Sequence, residues 1–279
     1  MRANKGIDVS SSQGTINWQK AKAAGVQFAI LRITTKNGNP DTQLASNIKG
    51  CKEAGVPFAF YKYMYATTTE KAQEEAKKAI EVLCGYGIVP DKSVKIWADV
   101  EDRTLMALST SALTNIVNTF KEVIVASGFG FGLYMGKYDY ESGKVDTKQF
   151  NDDIWIARYY NGSVAFNLSQ DPNDKYRPTV NAGDLWGWQY TSSGKVDGIN
   201  NNVDLDICYY EFEEVEVDLR YYNTPEFILI DSLNKIGVYS SYRNRSKIAF
   251  ANGIENYSST AEQNLKMLEL LNADRLIRE

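Results

Sequence analysis

The octapeptide KIWADVED (95–102) puts two carboxyl groups, Asp99 and Glu101, where a strand should run. Ile96, Trp97, Ala98 and Val100 read as strand interior. Side chains alternate across a strand, so the two acids point the same way. Two carboxylates on one face repel, and burial makes each harder to ionise. Such a pair suits acid–base chemistry in which two carboxyls of unequal proton affinity take different roles. The chain has no histidine. That excludes a Ser-His-Asp triad, a Cys-His pair and histidine-ligated zinc, and three scattered cysteines do not replace the last. No metal or cofactor is therefore expected, and proton transfer must fall to carboxylates, Lys, Tyr or Cys. Aromatic residues make up 12% of the chain, led by 18 tyrosines, which suits a saccharide-binding surface as well as a core.

The elements that must position these acids follow from periodicity. Strand-like runs fall at 6–10, 28–34, 58–65, 94–101, 129–136, 153–160, 185–191 and 203–209. Helical stretches at 16–25, 41–55, 69–87 and 111–128 separate the first five. Repeated βα units argue for a parallel sheet, and eight strands for closure. The expected fold is α/β, an irregular (β/α)-barrel whose last third lacks full helices, followed by a small all-α C-terminal domain. The expected boundaries are 1–212 for the barrel, 213–222 for an acidic linker and 223–279 for the helical unit.

In a closed βα barrel the C-terminal strand ends face the active site. Asp8 ends the first strand, Asp99 and Glu101 the fourth, and Asp204 lies on the last, so four acids from three strands should meet at one rim. Asp206 shares a face with Asp204, and spacing does not choose between them. In the tail, a helix should open at Pro225 behind Thr224 and stop at Gly237, with Phe227, Ile230, Leu233 and Ile236 as its stripe. A second helix is expected at about 240–252, and a third from Ser259 or Thr260 with Leu265, Leu268 and Leu271 inside.

A formal net charge of −4 gives no polyanion-binding signature, so no nucleic-acid partner is expected. No apolar run is long enough to span a bilayer, and stable membrane insertion is not expected. Cys51, Cys84 and Cys208 read as buried thiols of a protein made in a reducing cytosol.

GIDVSSSQGTINW, the DVE of the fourth strand, and WQYTSSGKVDGINNNVDLD together resemble glycoside hydrolase family 25, the lysozymes called muramidases of the phage-endolysin type. The resemblance runs in consistent order over residues 5–212. It implies an irregular (β/α)-barrel that cleaves the β-1,4 bond between N-acetylmuramic acid and N-acetylglucosamine in bacterial peptidoglycan. Asp8, Asp99, Glu101 and Asp204 match the family's acidic cluster, and Tyr61, Tyr134, Trp155, Tyr159, Trp186 and Gln189 its sugar groove. Glu101 is then the general acid. Asp99 either assists the substrate's N-acetyl group or attacks directly, and both routes retain configuration. The chain departs from the pattern at Thr34, Thr35 and Lys36, where relatives often have a Thr-Glu-Gly turn. It departs again at Lys62 and Arg158, where relatives often carry His. These two cations are expected to add positive charge near the groove, either to favour acidic lactyl or stem-peptide groups or to form ordinary salt bridges to the acidic rim.

The segment 237–271 resembles small helical modules of phage and Gram-positive wall hydrolases. That implies a wall polymer or glycan ligand, with Tyr242, Arg243 and Arg245 as contacts. The alternative for this unit is a solvated, packing or homo-oligomerising element. MRANKGIDVS runs straight into a strand pattern, so the enzyme is expected to be made in a host cytoplasm without a signal peptide and to act on the wall after release. The competing function is a non-catalytic wall-binding protein on the same scaffold. A barrel enzyme for phosphorylated metabolites is disfavoured because no Gly-rich phosphate turn follows the seventh strand. An amidase or endopeptidase is disfavoured by the missing histidine.

Overall fold

The computed structural model describes residues 4–278 except 151, 161, 163–164, 213–214 and 216–224. The strands are β1 (Asn4–Val9), β2 (Phe28–Arg32), β3 (Phe58–Tyr63), β4 (Lys95–Asp99), β5 (Gly130–Gly136), β6 (Asp153–Ala157), β7 (Phe166–Asn167), β8 (Asp184–Lys195) and β9 (Val203–Cys208). Their order is β6-β5-β4-β3-β2-β1-β9-β8-β7, and pairing of β6 with β8 closes eight of them into a barrel. Neighbours from β1 to β6, and β6 with β8, run parallel. Strand β9 runs antiparallel to both β1 and β8, where an all-parallel sheet was expected. The physical reason is the short return after β8, which leaves no room for a crossover helix.

The barrel is packed in two layers. Outside, α1 (Trp18–Ala23), α2 (Leu44–Ala54), α3 (Thr69–Gly85) and α5 (Thr110–Ala126) cover the sheet through the largest apolar cluster. Two short helices not foreseen from periodicity, α4 (Arg103–Met106) and α6 (Lys137–Glu141), sit at the strand ends instead. Inside, Phe28, Trp97, Trp155 and Trp186 fill the lower barrel. Small residues make room for them. A Cβ on Gly6 would fall 2.5 Å from the Phe28 ring, and one on Gly132 would fall 2.3 Å from that of Trp97. The register slips at Trp155, which pairs with Gly187 while Ile154 pairs with Leu185. This bulge lets Trp186 and Gly187 both meet the interior.

The tail comprises α7 (Pro225–Lys235), α8 (Tyr242–Ala251) and α9 (Ala261–Asn272) around a separate core of Leu229, Leu233, Ile248, Met267 and Leu268, among others. Thr260 and Gln263 form a capping box at the start of α9. The expected stripes are shifted. Ile236 and Leu265 are exposed, and Ile230 belongs to the barrel's core rather than the tail's. The Phe227 side chain and nearly all of the expected linker lie outside the described residues. Among the cysteines, Cys51 and Cys208 are buried, but Cys84 near the end of α3 is exposed, contrary to expectation. No described helix is long and apolar enough to cross a membrane.

Candidate active site

Asp8, Asp99, Asp204 and Asp206 come to one end of the barrel on β1, β4 and β9. Antiparallel pairing sets Asp8 directly opposite Asp204 and Gly6 opposite Asp206. The loops that hold this register belong to the motifs GIDVSSSQGTINW and WQYTSSGKVDGINNNVDLD. Ser10 and Gln13 make a capping box around Ser11–Gln13. Gln13 Nε2 donates to Asn202 O at 3.1 Å, and Asn201 Nδ2 to Ser12 O at 2.9 Å. Gly198 has φ +96, and any Cβ there would lie 2.5 Å from Asn17 O, so the close approach of this loop to α1 requires glycine. Across the rim, Arg32 Nε donates to Asp41 Oδ2 at 2.7 Å and its Nη2 to Ser11 Oγ at 2.8 Å, tying the loops after β1 and β2 together.

Asp99 is the last residue of β4 and is 5% exposed. Its Oδ1 is buried without a hydrogen-bond partner among the described residues. After Val100 the chain turns into α4, capped by Asp102, which accepts the Thr104 N–H at 2.9 Å. Glu101 is thereby carried to the surface. It lines a cleft of about 450 Å³ with Tyr134, Tyr138, Arg158 and Tyr159. Asp99 and Glu101 both hold protons above the usual carboxyl range. For Asp99 the causes are burial, then Glu101 and Asp8, with Lys62 opposing. Glu101 is solvent-exposed, but crowding by the cleft wall still strips water from its carboxyl, and Asp102 and Asp139 add repulsion. Burial, then Asp8 and Glu101, push Asp204 up to about 9. Asp8 is raised by burial and by Asp206. Asp206 is raised by burial and by Asp204, against hydrogen bonding to Asp8 and Trp155. Burial and mutual repulsion thus favour the protonated form in each of these five crowded carboxyls. Among the described residues, no three acids or thiols are arranged to hold a metal ion.

The six groove residues separate. Tyr134 and Tyr159 line the cleft with Glu101. Gln189 is buried beneath them. Its Oε1 accepts both tyrosine hydroxyls, Tyr134 at 2.8 Å, and its Nε2 donates to Asp8 Oδ2 at 2.7 Å. Tyr61 is a buried interior side chain. Trp155 is sunk in the barrel and donates to Asp206 Oδ1 at 2.9 Å. Trp186 does not join the groove. It packs against Phe28, Trp97 and Phe212 and borders the opposite mouth of the barrel with Ser93 and Lys95. The groove position was implied by the resemblance alone, and the bulge on β8 turns Trp186 into the lower barrel instead.

Lys62 is not in the groove either. Strand alternation turns it outward from the interior residues Tyr61 and Tyr63, and it is 1% exposed. Its Nζ donates to Tyr63 O and lies 3.7 Å from Glu75 of α3. Burial lowers its proton affinity against the pull of Glu75 and Asp99. Arg158 does border the cleft, with its Nη1 donating to Tyr176 O at 2.7 Å. Periodicity did not point to Tyr138, 81% exposed on the cleft wall, or to Asp139 beside Glu101. Both sit on the short helix α6, and only their place just past a strand end could have marked them. In the tail, Arg245 is 4% exposed and is no surface contact. Its guanidinium donates to Glu226 at 2.6 Å, Ser240 O at 2.7 Å and Tyr257 OH at 3.0 Å. Tyr242 and Arg243 are exposed.

A closed α/β barrel with an aromatic plug below and a ring of carboxyls at the C-terminal strand ends defines a barrel whose chemistry belongs to acids. The chain belongs to the glycosyl hydrolases family 25, whose model matches residues 7–199. The autolytic lysozyme of Clostridium acetobutylicum is 26% identical over 210 residues, covering 75% of this chain and 56% of that protein. The modular autolysin LytC of Streptococcus pneumoniae superposes with a TM-score of 0.58 at 28% identity, over 75% of this chain and 47% of LytC. The catalytic domain of endolysin ply40, from a bacteriophage of Listeria monocytogenes, shares the fold, with a TM-score of 0.55 at 22% identity over 74% of this chain and 93% of that domain. The chain thus spans a little over half of the clostridial protein and just under half of LytC.

Proposed function

We propose that the protein is a peptidoglycan hydrolase that cleaves the β-1,4 bond between N-acetylmuramic acid and N-acetylglucosamine with retention. The observation that carries this reading is the pairing of Glu101, open to an aromatic cleft just past β4, with Asp99 buried at the end of that strand and within reach of its charge. Family membership supports it, as does the solved complex of LytC with a synthetic peptidoglycan ligand. Glu101 faces the leaving oxygen and protonates it as positive charge develops on the sugar. Asp99 offers a buried oxygen with no other described partner to the N-acetyl group of the substrate, which then closes on the anomeric carbon. Direct attack by Asp99 is the other retaining route. Arg158 on the cleft wall is placed to meet a lactyl or stem-peptide carboxylate. The tail is a wall-binding unit whose outward face on α8 carries Arg243, Lys247 and Phe250, spaced four and three residues apart, in place of buried Arg245. In a lysis role the enzyme, made in the host cytoplasm, reaches the wall on release.

The test is product analysis on purified Gram-positive peptidoglycan, with new ends reduced by borohydride and identified by mass spectrometry. Reduced muramic acid ends from wild type, absent with Glu101→Gln, are the expected result. Reduced glucosamine ends would move the cleaved bond. No new ends from folded wild type on several wall types would favour a non-catalytic wall-binding protein.

A further inference from the structure

Below the rim, Asp8 of β1 and Asp206 of β9 face each other in closed space, 6% and 0% exposed. Their surroundings are polar and tightly paired. Gln189 accepts both tyrosine hydroxyls at its Oε1 and donates from its Nε2 to Asp8 Oδ2. Trp155 can only donate, and it donates to Asp206 Oδ1. That leaves Asp206 Oδ2 buried with no hydrogen-bond partner among the described residues, alongside the Asp8 carboxyl. Two bare carboxylates in such a place would face each other with acceptors only. One proton between them removes the conflict and gives a short, charge-assisted O–H···O⁻ bond.

We infer that Asp206 is a positioning residue that shares a single proton with Asp8, and that this bond, with Gln189, locks Asp8 in the floor of the active site. The locked pair carries one negative charge instead of two. Other groups crowd the same space. Asp99 and Glu101 face it from β4, Asp204 from β9, and Tyr61, Tyr134 and Tyr159 from β3, β5 and the end of β6. Tyr190 and Cys208 lie near Asp206, Arg32 acts on Tyr61 and Lys62 on Asp99, and Arg158 borders the cleft with Glu101. Repulsion among the remaining acids strengthens the pair's hold on its proton. The catalytic consequence rests on the function proposed above, but the proton itself does not.

The experiment therefore begins with a readout that needs no turnover. Infrared spectra of the full chain carrying ¹³C-labelled aspartate should show protonated aspartic carboxyls at neutral pH. Asp206→Asn should remove one of them, since its amide can donate to Asp8 and its carbonyl can still accept from Trp155. Glu101→Gln should remove none. On peptidoglycan, Asp206→Asn should extend activity to higher pH because the pair then has no proton to lose. Asp206→Leu, which leaves Asp8 without that partner, should lower kcat roughly ten- to a hundredfold with little change in KM. An unchanged aspartic carboxyl signal in Asp206→Asn overturns the shared proton, whether or not the enzyme digests any wall. Coincident pH profiles for the Asn and Leu variants overturn the positioning role.

Discussion

Asp204 holds its proton to about 9, chiefly because burial penalises its charged form and then because Asp8 and Glu101 stand close. An unfolded aspartate releases the proton near 3.9. The native state therefore holds a proton that the unfolded chain has already given up throughout the window between those values. Stability is fully present below the lower value and is lost as pH rises toward the upper one, by as much as about 1.4 kcal/mol per pH unit for one whole proton. Raised Asp8, Asp99 and Asp206 push the same way. We expect the melting temperature to fall steadily from pH 5 to pH 9, and Asp204→Asn to flatten that slope while staying folded. Parallel slopes for variant and wild type, measured by calorimetry in matched ionic strength, would show that Asp204 ionises normally. At this scale the sequence was legible where chemistry and period agreed. Asp8, Asp99 and Asp204 were found by their strand positions and do converge. Asp206 stayed an open alternative because alternation cannot rank two acids on one face. Lys62 and Arg245 were misplaced because a charge in a sequence reads as surface until its partners, Glu75 and Glu226, are known.

Strand β4 carries its acids correctly only because the layer beneath them is full. Trp97, two residues before Asp99, packs 4.5 Å from Trp186 and 5.7 Å from Trp155, centroid to centroid, and occupies the space where Gly132 of β5 has no side chain. The single methyl of Gly132→Ala would overlap the Trp97 ring, and overpacking of this kind costs about 1–3 kcal/mol. We expect a lower melting temperature, an altered near-ultraviolet tryptophan signal and reduced activity, since a displaced Trp97 drags Asp99 with it. A variant with unchanged melting and an unchanged spectrum would mean that the ring has room to move, and that β4 is not set by this layer. The eight strands and four outer helices were legible because each repeats a period of two or 3.6 over a full element. The helices α4 and α6 were not, since four or five residues make too few turns to show a period and are set by capping. The bulge on β8 and the antiparallel course of β9 depend on pairing partners that no local pattern records.

The tail is docked on the barrel, and the described contacts include polar ones that can be removed selectively. Asn234 of α7 donates to Tyr86 OH at 2.5 Å, and Lys78 of α3 lies 3.9 Å from the centre of the Tyr239 ring. Ile230 enters the barrel's apolar cluster, and a cleft of about 210 Å³ remains between the two units. Lys78 also approaches Gly38 in the loop after β2, so the tail meets the barrel on the side of that loop. One buried hydrogen bond and one cation–π contact contribute about 1–2 kcal/mol together. Removing both should shift the docked-to-free ratio roughly tenfold without unfolding either core. On the proposed wall-binding role, a docked tail would hold its outward face at a fixed distance from the cleft and so set the effective concentration on an insoluble substrate. Lys78→Ala with Asn234→Ala should therefore enlarge the radius of gyration in small-angle scattering and speed proteolysis within 213–224. The same double variant should slow digestion of intact walls while leaving cleavage of short soluble glycans as it was. Unchanged scattering and proteolysis would place the docking energy in Ile230 and its neighbours. Enlarged scattering with undiminished wall digestion would separate docking from function, leaving the tail a tether whose orientation is immaterial.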